Sequence, residues 1–484
     1  MVHAIALLAV FAMAARISVD TDTWWHLRAG EWMVENREIL RQDLFSYTRY
    51  GEPWNYPGWL VEIPMYLIYR ISGAGGLNLW TAGMVTLAFG FCWATLSGGS
   101  FLRAFTIILA AAASGVYWAA RPYLVTFVLA AIFLWVLEDF RWRKKDRLIW
   151  LPLLMIIWSN SHGGFAIGLM LIGIYWLDLA FGVGMGRFLR TPSPSSAQEA
   201  PRLRKITIIG LVSVAAIAIN PAGPEMLLYP FKTVSIGALR DFIAEWQSPN
   251  FHELRVQPFL WLILLTFGAV GFSRQRLSIS GFLLVAVFST LGVLAARNIA
   301  LFALAAPPVL TRHADHVVQV WKRRFGVRLK PSAPGIQSRA FRAVNGLIFL
   351  ALLSAVGIKT ASVLPENVNL QHFRETYPMG AVAYLEEKSP EGQLFNSYNW
   401  GGYLLWTLPD YPVFIDGRTD LFDDKIIESW MQVIRAEGDW AQVLDTWGVK
   451  LVLLEPDYPL AGELRANHWR LLHEDEISVL FEKP

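Results

Sequence analysis

The stretch VDTDTWWHLR, residues 19–28, brings two carboxylates, Asp20 and Asp22, close to an imidazole, His26, directly after the first apolar run of the chain. A carboxylate at such an edge can act as general base on an acceptor hydroxyl. If the segment is extended, a second carboxylate two residues on lies on the same side and could orient the first or share a divalent ion with it. Other polar groups stand at the ends of later apolar runs: NSHGG (160–164), INPAG (219–223), AEWQSP (244–249) and ARN (296–298). Arginine and histidine in such a set would stabilise charge developing on a leaving phosphate. The chemistry that fits is transfer from a lipid-linked phosphate donor. Asp20 and Asp22 would be catalytic, and His26, Asn160, His162, Glu245, Arg297 and Asn298 would bind donor phosphate or acceptor.

Each group also has a plainer reading. Aspartates keep a helix end solvated, and Trp24 and Trp25 read as belt aromatics at a membrane interface. His162 reads equally as a satisfied turn histidine, Asn220-Pro221 as a helix terminator, and Arg297 as a snorkelling cation. What decides between the readings is whether these segments share one face of a membrane.

The composition places them in a membrane protein. Of 484 residues, 54% are hydrophobic and 17% charged, against about a quarter charged in soluble chains. Eleven apolar windows recur, several of them short for a span, and together they read as a polytopic α-helical protein. The single cysteine, Cys92, excludes intrachain disulfides. The first window lacks a basic flank and is read as an uncleaved helix.

Orientation turns on WLVEIPMYLIYRISG (59–73), which is short, amphipathic and holds Glu62, Pro64 and Arg70. Taken as a surface segment, it leaves the basic loops 139–147, 182–205, 273–277 and 311–343 on one side, where they hold 20 of the chain's 42 lysines and arginines. Taken as a span, it turns all of them outward, against the positive-inside rule. The surface reading gives about eleven transmembrane helices, a cytoplasmic N-terminus and an extracytoplasmic C-terminus in the cytoplasmic (inner) membrane. Residues 20–76, 160–163, 221–257, 297–298 and everything after about 363 then lie outside, so the polar groups share one surface. RTPSPSSAQEAPR (190–202) reads as a flexible inner loop.

Residues 1–362 thus read as the membrane domain and 363–484 as a small soluble α/β domain. In the latter GQLFNS, YPVFID, VKLVLL and ISVLFEKP read as strands, and MGAVAYLEEK, DKIIESWMQVIRA and DWAQVLDTW as helices. Its FNSYNWGGYLLW segment offers Trp400 and Tyr403 as an aromatic docking face. FIDGRTDLF (414–422) offers Asp416 and Arg418, either as ligand contacts on a loop or as a pair holding a tight turn onto the membrane part.

With this topology the chain resembles the GT-C class of integral-membrane glycosyltransferases, whose first helix is followed by a long outer loop opening on an acidic pair. That class includes protein mannosyltransferases, the aminoarabinose transferase of lipid A and the oligosaccharyltransferases. DTDTWWHLRAGEWMVENREILRQDLFSYTRYGEPWNYPGWLVE (20–62), NSHGGFAIGL, INPAG and FNSYNWGGYLLWTLPDYPVFIDGRTDLF (395–422) are similar to a bacterial membrane group related to it. The resemblance implies inverting transfer of a sugar from a polyprenyl-phosphate-linked donor to a glycan, lipid or protein acceptor. It implies Asp20 as base, nearest the helix end, with Asp22 the alternative. NWGGYLLW is similar to the oligosaccharyltransferase Trp-Trp-Asp-Tyr-type motif, but has Gly at the acidic position, so no acceptor-binding role carries over. A divalent cation, Mg or Mn, is an open cofactor, with Asp22 the ligand on offer. Nucleic acid is not an expected partner. The rival reading is a non-catalytic GT-C-like subunit within a membrane-protein complex. An ion-coupled transporter is disfavoured by apolar helix cores.

Overall fold

In a bilayer every backbone N–H and C=O must be satisfied within its own segment, so apolar runs become helices. The computed structural model describes residues 1–188, 194–237, 242–325 and 339–484. Among these, five helices are long and apolar enough to cross a membrane: Trp59–Thr95, Ser100–Tyr117, Tyr123–Trp142, Gly163–Met185 and Arg342–Ser362. Four shorter apolar helices, Val2–Ala14, Trp150–Ser159, Gln257–Phe272 and Ile279–Leu294, accompany them. The chain is a mostly helical, multi-pass membrane protein. Residues 190–193 of the Ser/Pro-rich stretch and 326–338 of the last basic loop lie outside the described residues. From Pro194 that stretch is helical, as part of Pro194–Ile217.

The elements that set the site are α1 (Val2–Ala14), α2 (Thr23–Asn36), α3 (Trp59–Thr95), α4 (Ser100–Ser114) and α5 (Tyr123–Trp142). Helix α3 has two working halves separated by a kink at Gly73, whose φ of +57° and ψ of −157° an L side chain rarely adopts. The stretch 59–73, read from sequence as a separate surface segment, is the first of these halves. Its Val61 and Met65 belong to a different buried core from Ala82, Val85 and Ala88 beyond the kink.

The two cores divide the molecule differently from the chain order. One is the helical bundle. The other joins α2 and the first long loop to the C-terminal residues, with Trp24, Trp25, Leu27 and Trp54 packed together with Leu404, Phe414, Leu453 and Phe481. Its frame is a four-stranded sheet of order β1-β2-β4-β3: β1 (Gln393–Asn396), β2 (Val449–Leu454), β3 (Arg470–Glu474) and β4 (Val479–Glu482). β1 and β2 are parallel, and the remaining pairs are antiparallel. YPVFID makes only isolated bridges, Val413 to Leu394 and to Ser46, where a strand had been expected. β3 was not anticipated, because RLLHE lacks the alternation that marks a half-buried strand.

Candidate active site

The loop after α1 is fastened to the turn between α4 and α5 by several bonds. Arg16 donates to the carbonyls of Gly115 (2.7 Å) and Trp118 (2.9 Å), and Thr23 Oγ1 donates to that of Ala120 (3.1 Å). Pro122 follows at the N-terminal edge of α5. The guanidinium of Arg121 is thereby set against the acidic pair: Nε is 2.6 Å from Asp20 Oδ1 and Nη1 is 2.7 Å from Asp22 Oδ2.

The pair does not lie on an extended segment. Asp20 and Asp22 sit in the turn that opens α2, and Asp20 Oδ1 also accepts the backbone N–H of Asp22 (3.0 Å) and Thr23 (3.3 Å). The reason is local: an Asp before a helix satisfies amides that the first turn leaves unpaired. One oxygen of Asp20 thus takes three donors, whereas Asp22 meets Arg121 through Oδ2.

Two further segments complete the cluster. Glu245 Oε2 is 3.5 Å from Arg121 Nη1, and its Oε1 is 3.2 Å from Arg297 Nη1. Arg297 is placed by the Ala296 N–H bond to the Gln247 carbonyl (2.9 Å), and its guanidinium lies 4.2 Å from the Trp246 ring centroid. It is therefore a paired cation stacked on an indole. Burial pushes the Asp22 carboxyl up to about 7; Arg121 pulls it down, while the charges of Asp20 and Glu245 push with burial. Burial opposes the charge on Arg121, yet Asp20, Asp22 and Glu245 outweigh it and hold that guanidinium well above its usual range.

His162 is a neutral ring that feels the charges of the cluster. Desolvation, then Arg297 and Arg121, push it down to about 3. Its Nδ1 accepts the Gly164 N–H (3.0 Å) and lies 3.0 Å from Thr126 Oγ1, which places the ring proton on Nε2. Asn298 Nδ2 donates to the Leu291 carbonyl (3.2 Å) beside Arg297.

The other sequence candidates are held in packing. His26 Nδ1 meets Glu62 Oε1 at 2.8 Å, both buried, and burial pushes His26 well below its usual range. Asn160 ties helix ends together, donating to Ile156 and Ile219 carbonyls and accepting from Trp59 Nε1 (2.9 Å). Trp24 and Trp25, read as belt aromatics, are core residues. The Trp24 ring lies 5.3 Å from both Phe373 and Tyr403, and Trp25 lies 5.2 Å from Tyr56. Trp400 is buried and donates Nε1 to the Thr376 carbonyl (3.1 Å), and Tyr403 stacks on Tyr377 at 4.5 Å. Arg418 is fully enclosed between Asp416 (2.6 Å) and Asp43 (2.6 Å), an ion triad joining the C-terminal residues to the first long loop.

The C-terminal residues close over the acidic turn. Tyr377 OH donates to the Asp20 carbonyl (3.0 Å), and Gly417 packs so tightly that a Cβ there would stand 1.8 Å from Asp22 Oδ1. Burial, then the charge of Asp22, raises Tyr398, whose hydroxyl lies 2.9 Å from Thr419 Oγ1. Sequence reasoning missed Arg121, Asp43 and Tyr398. Arg121 had a legible signal, being an arginine in an outer turn between two apolar windows, as Arg297 is.

A divalent ion does not fit this donor set. Arg121 stands between the two aspartates, and among the described residues no three His, Cys, Asp or Glu are grouped to hold a metal.

No family profile matches the chain, and no curated protein matches it in sequence. Solved structures do match it. The archaeal oligosaccharyltransferase AglB from Archaeoglobus fulgidus, in complex with an inhibitory peptide and a dolichol-phosphate, aligns at TM-score 0.56 and 14% identity over 94% of this chain and 69% of that one. An Archaeoglobus fulgidus oligosaccharyltransferase tethered to an acceptor peptide aligns at 0.52 and 16%, over 93% and 68%. ArnT from Cupriavidus metallidurans bound to undecaprenyl phosphate aligns at 0.47 and 14%, over 99% and 96%. The chain has the fold of the GT-C glycosyltransferases.

Proposed function

We propose that this protein is a membrane glycosyltransferase that moves a sugar from a polyprenyl-phosphate-linked donor to an acceptor hydroxyl or amide at the outer face of the cytoplasmic membrane. The observation that carries the reading is one connected ion network, Asp20–Arg121–Asp22 with Glu245 and Arg297, assembled from four separate segments. Asp22 is the base in this reading. Burial raises its carboxyl to about 7, whereas Asp20 Oδ1 is held by three donors. The proposal therefore moves the base from Asp20 to its neighbour and makes Asp20 a positioning residue.

Asp22 takes the acceptor proton as the acceptor heteroatom attacks the anomeric carbon. The bond from that carbon to the phosphate oxygen breaks on the opposite face, with inversion, and the lipid phosphate leaves as an anion. Arg297 and the Nε2–H of His162 are the groups that would stabilise it. Glu245 occupies Arg297 until a phosphate takes its place. Acceptor class, whether glycan, lipid or protein, follows from product analysis. In a deletion strain, plasmids carrying Asp22→Asn or Arg297→Met should fail to restore the missing glycan while accumulating protein normally. Full restoration by Asp22→Asn would refute the assignment and leave the scaffold-subunit reading. In a Cys92→Ser background, a cysteine placed at residue 143 should resist membrane-impermeant labelling in intact spheroplasts; labelling would reverse the orientation.

A further inference from the structure

We propose that Arg121 is the resident cation of the acidic pair: it holds Asp20 and Asp22 together and neutralises them where a divalent ion would otherwise be needed, so that the site is complete without a metal. The inference rests on the site of the proposed function, though not on its reaction.

Three carboxylates from two segments converge on one guanidinium, at 2.6 Å for Asp20, 2.7 Å for Asp22 and 3.5 Å for Glu245. A planar, permanently charged fork suits such bridging, because its N–H donors diverge in one plane toward separate oxygens. Arg121 is no surface side chain that swings in by accident. Its side chain is 18% exposed, and its loop is bonded to the 16–23 segment at both ends, by Arg16 below and by Ser18 Oγ and Thr23 around Ala120.

The same geometry opposes a metal ion. A Mg²⁺ ion needs carboxylate oxygens at about 2.1 Å in a near-octahedral shell. The bisecting position between the two aspartates holds Nε and Nη1 instead. An ion entering there would lie against a like charge and would have to displace two short charge-assisted bonds. Taking the guanidinium away reverses this. Asp20, Asp22 and Glu245 would then face one another with Arg297 as the counter-charge left among the described ion pairs, and of the three carboxylates Arg297 pairs with Glu245. Three carboxylates left without that guanidinium carry uncompensated negative charge, which would draw a hard cation in and let them close around it.

The test uses Mn²⁺ alone as the probe, read by electron paramagnetic resonance on the full chain in lipid nanodiscs. Wild type should leave the free-ion signal undiminished at concentrations where Arg121→Met removes about one equivalent, a change in affinity of at least about tenfold. Adding Asp22→Asn to Arg121→Met should abolish the gain. Stoichiometric Mn²⁺ binding by wild type that Asp22→Asn removes would overturn the inference, and this comparison stands even if Arg121→Met fails to fold. A folded Arg121→Met that binds no Mn²⁺ overturns it too. Neither result depends on sugar transfer, so an inert transferase and a metal-binding wild type are separate failures.

Discussion

The proposed base can be tested through its neighbour Glu245. Glu245 Oε2 lies 3.5 Å from Arg121 Nη1, which lies 2.7 Å from Asp22 Oδ2, so the two carboxylates are within about 6 Å. Unit charges at that distance interact by about 3 kcal/mol at an effective dielectric constant of about 20, or about two pH units. Glu245 has 28% of its side chain open to solvent, which screens it, so Glu245→Gln should shift Asp22 downward by about one unit. The sign follows from losing a negative neighbour that now raises Asp22. A base works deprotonated, so wild-type activity should climb with pH through about 7 and stand at about a tenth of its plateau one unit below. In Glu245→Gln the climb should be centred near pH 6 by the same arithmetic. Infrared titration of the carboxyl band lost in Asp22→Asn reads the shift without any substrate, and initial rates on a polyprenyl-phosphate sugar read it in turnover. An unmoved or upward-moved midpoint would refute the reasoning. Stability carries the same signature. A raised folded-state value contributes stability that is present below the unfolded value near 4 and is lost as pH rises through about 7. Asp22→Asn should flatten that part of the melting profile.

Three further substitutions separate chemistry from architecture. Gly417→Ala would drive a methyl into Asp22 Oδ1 and should lower turnover by at least about tenfold with little change in melting temperature, since the atom displaced is the end of a side chain; equal loss in both readouts would make Gly417 merely structural. Arg418→Met leaves Asp416 and Asp43 buried without their cation and should destabilise by about 3–5 kcal/mol, seen as early melting, while a wild-type melt would show the triad to be dispensable. Asn78→Leu removes the side chain that donates to the Val363 carbonyl and to Asn369 Oδ1 and accepts from Ser18 N–H. It should cost about 1–3 kcal/mol and loosen the acidic turn, measurable as faster amide exchange at residues 18–23.

How far the sequence carried is clearest at the acidic turn. Basic-loop counting put Asp20, His162, Glu245 and Arg297 on one face without any contact information; in the structure Asp20 and Glu245 meet Arg121, and Arg297 joins them through Glu245. What it could not carry was which oxygen of which aspartate stays free. That depends on α2 starting at Thr23, so that Asp20 turns back onto two amides. The tryptophans misled for a related reason. An indole beside a membrane edge looks the same in sequence whether lipid or protein covers it. Here the covering comes from Phe373, Tyr377 and Tyr403, some 350 residues downstream.

That long-range closure also explains why the C-terminal residues are more than an appendage. Asp43 and Asp416 clamp Arg418 at full burial, Trp54 and Tyr229 both donate to Asp420, and Gly417 lies against Asp22. A buried ion triad contributes little net stability, but breaking it is expensive, so its use is to fix one arrangement. The arrangement it fixes is the position of the 416–420 turn over the acidic pair. The turn excludes water from one side of Asp22, and that burial is the largest contribution raising its carboxyl. The C-terminal residues therefore add to the burial that raises the proposed base, through the packing of Gly417 on Asp22 Oδ1. A variant that unseats this turn without unfolding the bundle should show it as a fall in the Asp22 midpoint toward the ordinary carboxylate range, before any loss of the Arg121 network.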